Sequence, residues 1–314
     1  MNTPRRIERM SGYRQSFIQI QPDSVPEERQ PEPSEDTISI EHNVVVKEEE
    51  ISTFDGKEIY SYHPNVNEVI MSDKTAKAAS KRAVGIDIGT GFISCAEHED
   101  DKRTFRKVRD AFFKLNPSKF LEGSANQFGE SMLKNAGAHY VKVDGQLYVL
   151  GDDAFKFANL FHQECLRPMS QGVLNPKFPV SNLMVGELVK AVAGKSKDDI
   201  LYYCVPAEPI DADFDVEYHK QILHGVFSDL GYKNINVMTE GLAVIYSELA
   251  ETQYTGIGMS FGAGMCNIVY SFMGMPVFAF SLSRGGDWID SHAAKHTDET
   301  SNVITAIKEK ADFS

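Results

Sequence analysis

Asp87, Gly89, Thr90 and Gly91 form the first cluster in the chain with the makings of a binding site. A carboxylate at the exit of an apolar segment can hold Mg2+ through water. The glycines let backbone N–H groups approach phosphate oxygens closely, and Thr90 adds a hydroxyl able to do the same. The same residues also read as an ordinary hairpin turn, and a short glycine motif alone does not separate the two. A second cluster, Ser260, Gly262, Ala263 and Gly264, repeats the pattern far along the chain. Two such turns could hold a nucleotide from opposite sides of a cleft between similar halves, a favoured place for ligands.

The elements that must position these clusters are strands. Residues 84–88 are β-branched and apolar apart from Gly85 and Asp87, which predicts a buried strand with one acid near its exit. Residues 92–96 can return as the second arm of a hairpin. Around the second cluster, 256–260 reads as a strand, and 265–272 with 277–282 as a hairpin turning at Met273 and Gly274. Between the clusters, Asp144 and Gly145 suit a tight turn joining two short strands over 140–150. Helices are expected over 154–161, 183–193, 215–230 and 240–250, with Gly194 and Gly231 as stops for the second and third. Residues 200–205 form a buried strand ended by Pro206, and 235–238 a short one. Helical structure restarts near Asp287.

Composition narrows the function classes. The chain has 314 residues, enough for about two domains. A net charge of -13 argues against general nucleic-acid binding, which needs clustered Lys and Arg. The basic, aromatic stretch 102–119, with Arg103, Arg106 and Arg109, could be such a surface but reads more simply as a solvated strand or loop face. No apolar run reaches the 18 or so residues of a spanning helix, and the N-terminus lacks a secretory signal pattern. Cys95, Cys165, Cys204 and Cys266 are widely spaced and read as reduced thiols of a cytoplasmic protein. Gly194-Lys195-Ser196 imitates the end of a P-loop but follows a helix and lacks the first glycine. His292 and His296 could share a helix face, but two histidines without a third ligand make a poor zinc site. No nucleophile, base and acid stand at a recognisable spacing.

Residues 1–80 are expected to be a mostly disordered acidic tail, since 21–36 carries four prolines and six acids but few large apolar residues, although the patch 51–71, with Phe54, Tyr60 and Tyr62, could dock on a partner or on the core. Its first twenty residues differ. Arg5, Arg6, Arg9 and Arg14 alternate with Ile7, Met10, Tyr13, Phe17 and Ile20 at helical spacing. Such a stretch could make weak contact with an anionic membrane surface, although Gly12 weakens the helix and a disordered tail is the simpler reading.

From Arg82 onward the chain resembles the actin superfamily of ATPase domains, which includes actin, the MreB-like bacterial actins, heat-shock chaperone ATPase domains and sugar kinases. Gly-Ile-Asp-Ile-Gly-Thr at 85–90 is similar to the family's first phosphate loop. Val-Pro-Ala at 205–207 and Val-Met-Thr-Glu-Gly-Leu-Ala at 237–243 resemble the segments leading into its connecting helix. Residues 260–268 sit where the second phosphate loop belongs. Ser-Arg-Gly-Gly-Asp-Trp-Ile-Asp at 283–290 and Arg-Pro-Met-Ser-Gln-Gly-Val at 167–173 resemble further stretches, the latter of the bacterial members. The resemblance implies an α/β fold of two similar half-domains, 81–205 and 206–314, each a mixed five-stranded sheet with flanking helices around an ATP–Mg2+ cleft. It implies Asp87 as a metal-water ligand, Gly89, Thr90, Gly91, Ser260, Gly262, Ala263 and Gly264 as phosphate contacts, and Glu240 as the residue that positions the attacking water. Lys308 and Glu309, on a helix over 302–310, become contacts to sugar and base. It also implies that residue 314 falls inside the smaller lobe of the second half, so that the sequence is either a fragment or a truncated product, with an open sheet edge if the 314 residues are complete.

The second loop departs from the family's Asp-x-Gly-Gly-Gly-Thr-Thr-Asp. Ser260 replaces the first acid, Met265 the threonine after the glycines, and Asn267 the last acid. Losing one preorganised charged group often costs about a hundredfold in rate. The expectation is therefore ATP binding with weak or no hydrolysis, in a self-associating, filament-forming cytoskeletal or scaffold protein. The alternatives are a chaperone-type ATPase of the same fold and a non-enzymatic actin-fold interaction protein.

Overall fold

The computed structural model describes residues 48–54, 57–63, 67–72, 82–99, 102–116, 125–174, 178 and 180–311. The basic stretch 1–20 and the proline-rich stretch 21–36 lie outside them.

Three strands come from the segment expected to be a tail: β1 (Glu48–Phe54), β2 (Lys57–His63) and β3 (Asn67–Ser72). They are not held apart from the rest. β3 pairs antiparallel with β6 (Lys102–Arg109), and β2 pairs with β8 (Tyr140–Val143). β1 pairs antiparallel with β2, its neighbour in sequence, a local pairing that the acidic composition nearby hid; the partners β8 and β6 lie tens of residues away and leave no local signal.

The central sheet has six strands in the order β13-β12-β4-β5-β6-β3. β4 (Ala83–Ile88) and β5 (Phe92–Glu99) form the first expected hairpin, and β6 continues the meander. β12 (Ile200–Val205) lies parallel to β4, and β13 (Asn234–Thr239) parallel to β12, so the sheet is mixed. The first half thus runs to Thr239 and past the division drawn at 205. Pro206 ends a strand there, but the helix that follows returns the chain to the same sheet.

A strand's side chains alternate between faces. Val84, Ile86 and Ile88, with Leu201, Tyr203 and Val205, point to one face and are buried. There they meet α3 (Ser181–Ala193) and α4 (Val216–Asp229). Leu183, Met184, Val185, Leu188, Val189 and Val192 of α3 all lie in this core, so α3 is apolar on most sides because it is enclosed on most sides. Truncating one such leucine to alanine costs about 2–5 kcal/mol. Asp215 caps α4 by accepting from Tyr218 N at 2.7 Å. Gly85 and Asp87, of opposite parity, point to the other face. At the far end of the sheet, Glu97 accepts from Arg82 and Arg106, both at 2.6 Å. Burial pushes the Glu97 carboxyl up, but the bonds from Arg106 and Arg82 outweigh it and hold the pKa below the ordinary value.

A second, five-stranded antiparallel sheet has the order β1-β2-β8-β9-β7, with β7 (Phe112–Leu115) and β9 (Gln146–Leu150). Asp144 and Gly145 make the turn expected between β8 and β9, both at positive φ. α1 (Ala125–Ala136), unforeseen from the sequence, and α2 (Gly151–Leu160) cover this sheet through Leu133, Ala154 and Ala158. A two-residue hairpin, β10 (Met169–Ser170) and β11 (Val173–Leu174), follows with Gly172 at its tip.

The described part of the second half holds a three-stranded antiparallel sheet, β14 (Gly256–Phe261), β15 (Cys266–Phe272) and β16 (Met275–Leu282), where a mixed five-stranded sheet was expected. α5 (Glu240–Glu248) leads into it directly from β13. α6 (Gly286–Thr297) and α7 (Ser301–Lys310) pack on each other and complete the described chain. No helix among the described residues is long and apolar enough to cross a membrane.

Candidate functional site

The turn between β4 and β5 is tied by Gly89 N donating to Phe92 O at 3.0 Å. Asp87, next to last in β4, enters a cleft of about 390 Å³ because its parity turns it away from the core. Solvent reaches Asp87 along the cleft while protein surrounds it on the other sides. This burial pushes its pKa up, and the Lys107 ammonium pulls it down. Thr90 is only 4 % exposed, and its Oγ1 accepts from Gly172 N at 2.9 Å, which leaves the hydroxyl proton to donate.

The second turn, between β14 and β15, closes with Gly262 N donating to Met265 O at 2.8 Å. It lies directly against the first. A Cβ added at Gly91 would stand 3.0 Å from Ala263 Cβ, and one at Gly264 would collide with Thr90 Oγ1 and come within 2.6 Å of Gly172 N. Only glycine allows this approach. The carbonyls of Gly262 and Ala263 accept from Gly286 N and Asp287 N, at 3.0 and 2.8 Å, and so point toward α6. The N–H groups of Thr90, Gly91, Ala263 and Gly264 have no hydrogen-bond partner among the described residues. Groups of this kind suit phosphate oxygens.

Glu240 opens α5, where a helix start favours a negative charge. Its Oε2 accepts from Ser260 Oγ at 3.1 Å and Asn267 Nδ2 at 2.9 Å. Backbone meets backbone here, for a side chain at Gly258 would collide with the Gly241 carbonyl. Burial, then the nearby Asp87 charge, pushes Glu240 up to about 7, against the two hydrogen bonds. Asn267 is held at both ends of its amide, since its Oδ1 also accepts from Ala207 N at 2.9 Å.

Lys308 and Glu309 line the same cleft, but both are in ion pairs. Lys308 Nζ sits 2.7 Å from the buried Asp290, which also accepts from Thr305 Oγ1 at 2.7 Å. Glu309 takes two bonds from Arg109, at 3.0 and 2.7 Å, which hold its carboxyl below the ordinary range. Arg109 also reaches Asp152 at 3.3 Å and stacks between the Phe92 and Phe155 rings.

All eleven residues selected from the sequence therefore line one cleft. Three cations that sequence reasoning did not assign to it line it too: Lys107, Arg109 and Arg167. The signal was in the strand register. Asp87 pairs with Ser94 and Ser94 with Lys107, so Asp87 and Lys107 share a face, and Arg109 falls two positions on. Arg167 donates to the carbonyls of Thr90, Gly91 and Asp110 and to Asp287 at 3.5 Å.

The donor set fits a nucleotide's phosphates better than it fits Mg2+. At the positions where the resemblance implies acids, Asp87 and Glu240 are carboxylates but Ser260 and Asn267 are not, and no group of three His, Cys, Asp or Glu suited to a metal occurs among the described residues. His292 Nδ1 instead bonds Trp288 O at 2.7 Å.

Comparison with known proteins agrees with this architecture. A family model described as Volactin matches residues 82–314. No curated protein matches. Among solved structures, MreB5 of Spiroplasma citri bound to ADP is 12% identical with a TM-score of 0.50, covering 73% of this chain and 62% of that one. The same protein bound to AMPPNP gives 11% identity and a TM-score of 0.51, covering 75% and 65%. A MamK double helical filament gives 17% and 0.50, covering 73% and 64%. At these identities the likeness shows the fold, that of the bacterial actins. The chain spans less than two thirds of each of these structures.

Proposed function

The chain belongs to the Volactin family, and from that premise we propose that it is an actin-type nucleotide-binding protein that assembles with copies of itself. The observation that carries this reading is the convergence of both glycine turns, with four unpartnered N–H groups, on one cleft between two sheets. ATP, bound with its phosphates against the turns and its sugar and base toward α7, would set the separation of the first half, through β13, from the second. That separation would bias assembly. The solved structures with ADP and AMPPNP, and the filament of MamK, concern relatives of the same fold and lend the reading support.

Hydrolysis is slow in this reading. Glu240 is the group placed to orient water, but it already accepts from Ser260 and Asn267 and holds a proton up to about pH 7. A protonated carboxyl is a poor acceptor for a water proton. Titration of the full chain with a fluorescent ATP analogue, followed by light scattering with and without nucleotide, tests both halves of the proposal. Saturable binding with nucleotide-dependent scattering is expected. Absence of binding refutes the nucleotide reading, and binding without scattering at high protein concentration refutes self-assembly.

A further inference from the structure

We propose that nucleotide binding by this chain is independent of divalent metal, because Lys107, Arg109 and Arg167 supply the positive charge that a metal ion would bring to the polyphosphate. The inference rests on the nucleotide reading above and deepens it.

The polar groups around the turns face the wrong way for a cation. Mg2+ demands oxygen ligands in octahedral array, typically one or two carboxylates besides phosphate and water. Ser260 Oγ and Asn267 Nδ2 both donate to Glu240 Oε2, so the loop presents protons where the family presents carboxylate oxygens. Asn267 brings no charge to a cation, and its Oδ1 is already held by Ala207 N. The acids beside the turns are Asp87 and Glu240; Glu240 Oε2 is already taken by Ser260 and Asn267, and Asp87 has the Lys107 ammonium on the same sheet face two strands away.

Fixed cations stand along the wall where the polyphosphate would lie. Lys107 Nζ is 3.7 Å from the centre of the Phe92 ring, and the Arg109 guanidinium 4.4 Å from it. Arg167 is bolted to the carbonyls of Thr90 and Gly91, at 3.2 and 3.4 Å, immediately behind the first turn. Arg109 and Arg167 presently face Glu309 and Asp287, whose side chains are 35% and 34% exposed. A polyphosphate can take over the forked Arg109 donors now held by Glu309 and the single Arg167 Nη2 donor that faces Asp287, while the released carboxylates turn to water. The exchange keeps each arginine paired.

The test is calorimetric titration of the full chain with ATP in EDTA and again in millimolar Mg2+, repeated with Lys107→Gln. Among the described residues Lys107 makes no ion pair, so its loss is expected to leave the fold intact, which the melting temperature verifies. The expected affinity differs by less than about threefold between the buffers, and Lys107→Gln lowers it in EDTA by about tenfold, equivalent to 1.4 kcal/mol. Binding in Mg2+ that falls by about a hundredfold or more in EDTA overturns this proposal and leaves the nucleotide reading standing. Lys107→Gln that folds and binds like the parent in EDTA also overturns it. No binding in either buffer overturns the nucleotide reading and this proposal with it.

Discussion

Ser260→Asp rebuilds the acid that the second loop lacks, and its consequence can be worked from the geometry. The new carboxylate would stand where Ser260 Oγ now donates to Glu240 at 3.1 Å, replacing a hydrogen bond by a like-charge contact. Two negative charges about 4 Å apart at an effective dielectric constant near 20 repel by about 4 kcal/mol. The chain has a cheaper course. Glu240 already holds its proton up to about pH 7, and keeping it there at pH 8 costs about 1.4 kcal/mol, one pH unit's worth. At pH 6 the proton is present in the parent too, so the cost nearly vanishes. The variant should therefore match the parent at pH 6 and melt about 3–6 °C lower at pH 8. Millimolar Mg2+ should erase the deficit, because Asp87, Glu240 and the added acid together make a site for a hard cation. The parent should not respond to Mg2+. Thermal unfolding read by Trp288, the single tryptophan, at both pH values with EDTA or Mg2+ decides the matter. A deficit independent of pH, or a parent stabilised by Mg2+ as much as the variant, would refute the reasoning.

Two further perturbations follow from the same contacts. Glu240→Gln can accept from both Ser260 and Asn267 on its amide oxygen but cannot ionise. The parent's carboxyl is raised from 4.5 to about 7, so its contribution is full below pH 4.5 and lost as pH rises through 7. The variant should gain on the parent by about 2–3 kcal/mol at pH 8, with the gap closing near pH 4, as measured by urea unfolding across that range. A gap constant with pH counts against the assignment. Gly264→Ala drives a methyl into Thr90 and Gly172 and should force the two turns apart, costing about 1–3 kcal/mol and weakening nucleotide binding. Gly225→Ala in α4 is the control, since nothing lies within 4 Å of a Cβ there, and it should stabilise by about 0.5–1 kcal/mol in thermal melts.

What was legible in the sequence was local. The alternation of Val84, Ile86 and Ile88 around Gly85 and Asp87 specifies a strand with one acid on its open face, and glycine marks both turns. Glu240 could be chosen only through its resemblance to a family position, because one glutamate at a helix start carries no signal of its own. Pairing between distant strands was not legible: β3 joins β6 past the whole β4–β5 hairpin, and β13 returns to the first sheet after a helix. The partners of Lys308 and Glu309 were hidden for the same reason. Asp290 sits on a neighbouring helix and Arg109 some 200 positions away, so no spacing rule connects them. Arg109 itself was placed in a solvated basic face, which a two-residue periodicity read across 102–109 would have split into an inward and an outward set.

The Arg109–Glu309 and Arg167–Asp287 pairs differ from the floor of the cleft in kind as well as position. At the floor, Thr90, Gly91, Ala263 and Gly264 meet by shape, with Thr90 only 4 % exposed. At the rim the halves are joined by charges whose acidic partners are about a third exposed. Dissolved ions act on the second kind of contact and not on the first, and on the second only in part, because Arg109 and Arg167 are 9% and 17% exposed and partly buried pairs are screened less. The cleft therefore behaves as a jaw with a fixed pivot and an ionic clasp. Added salt is expected to loosen the rim before it loosens the floor.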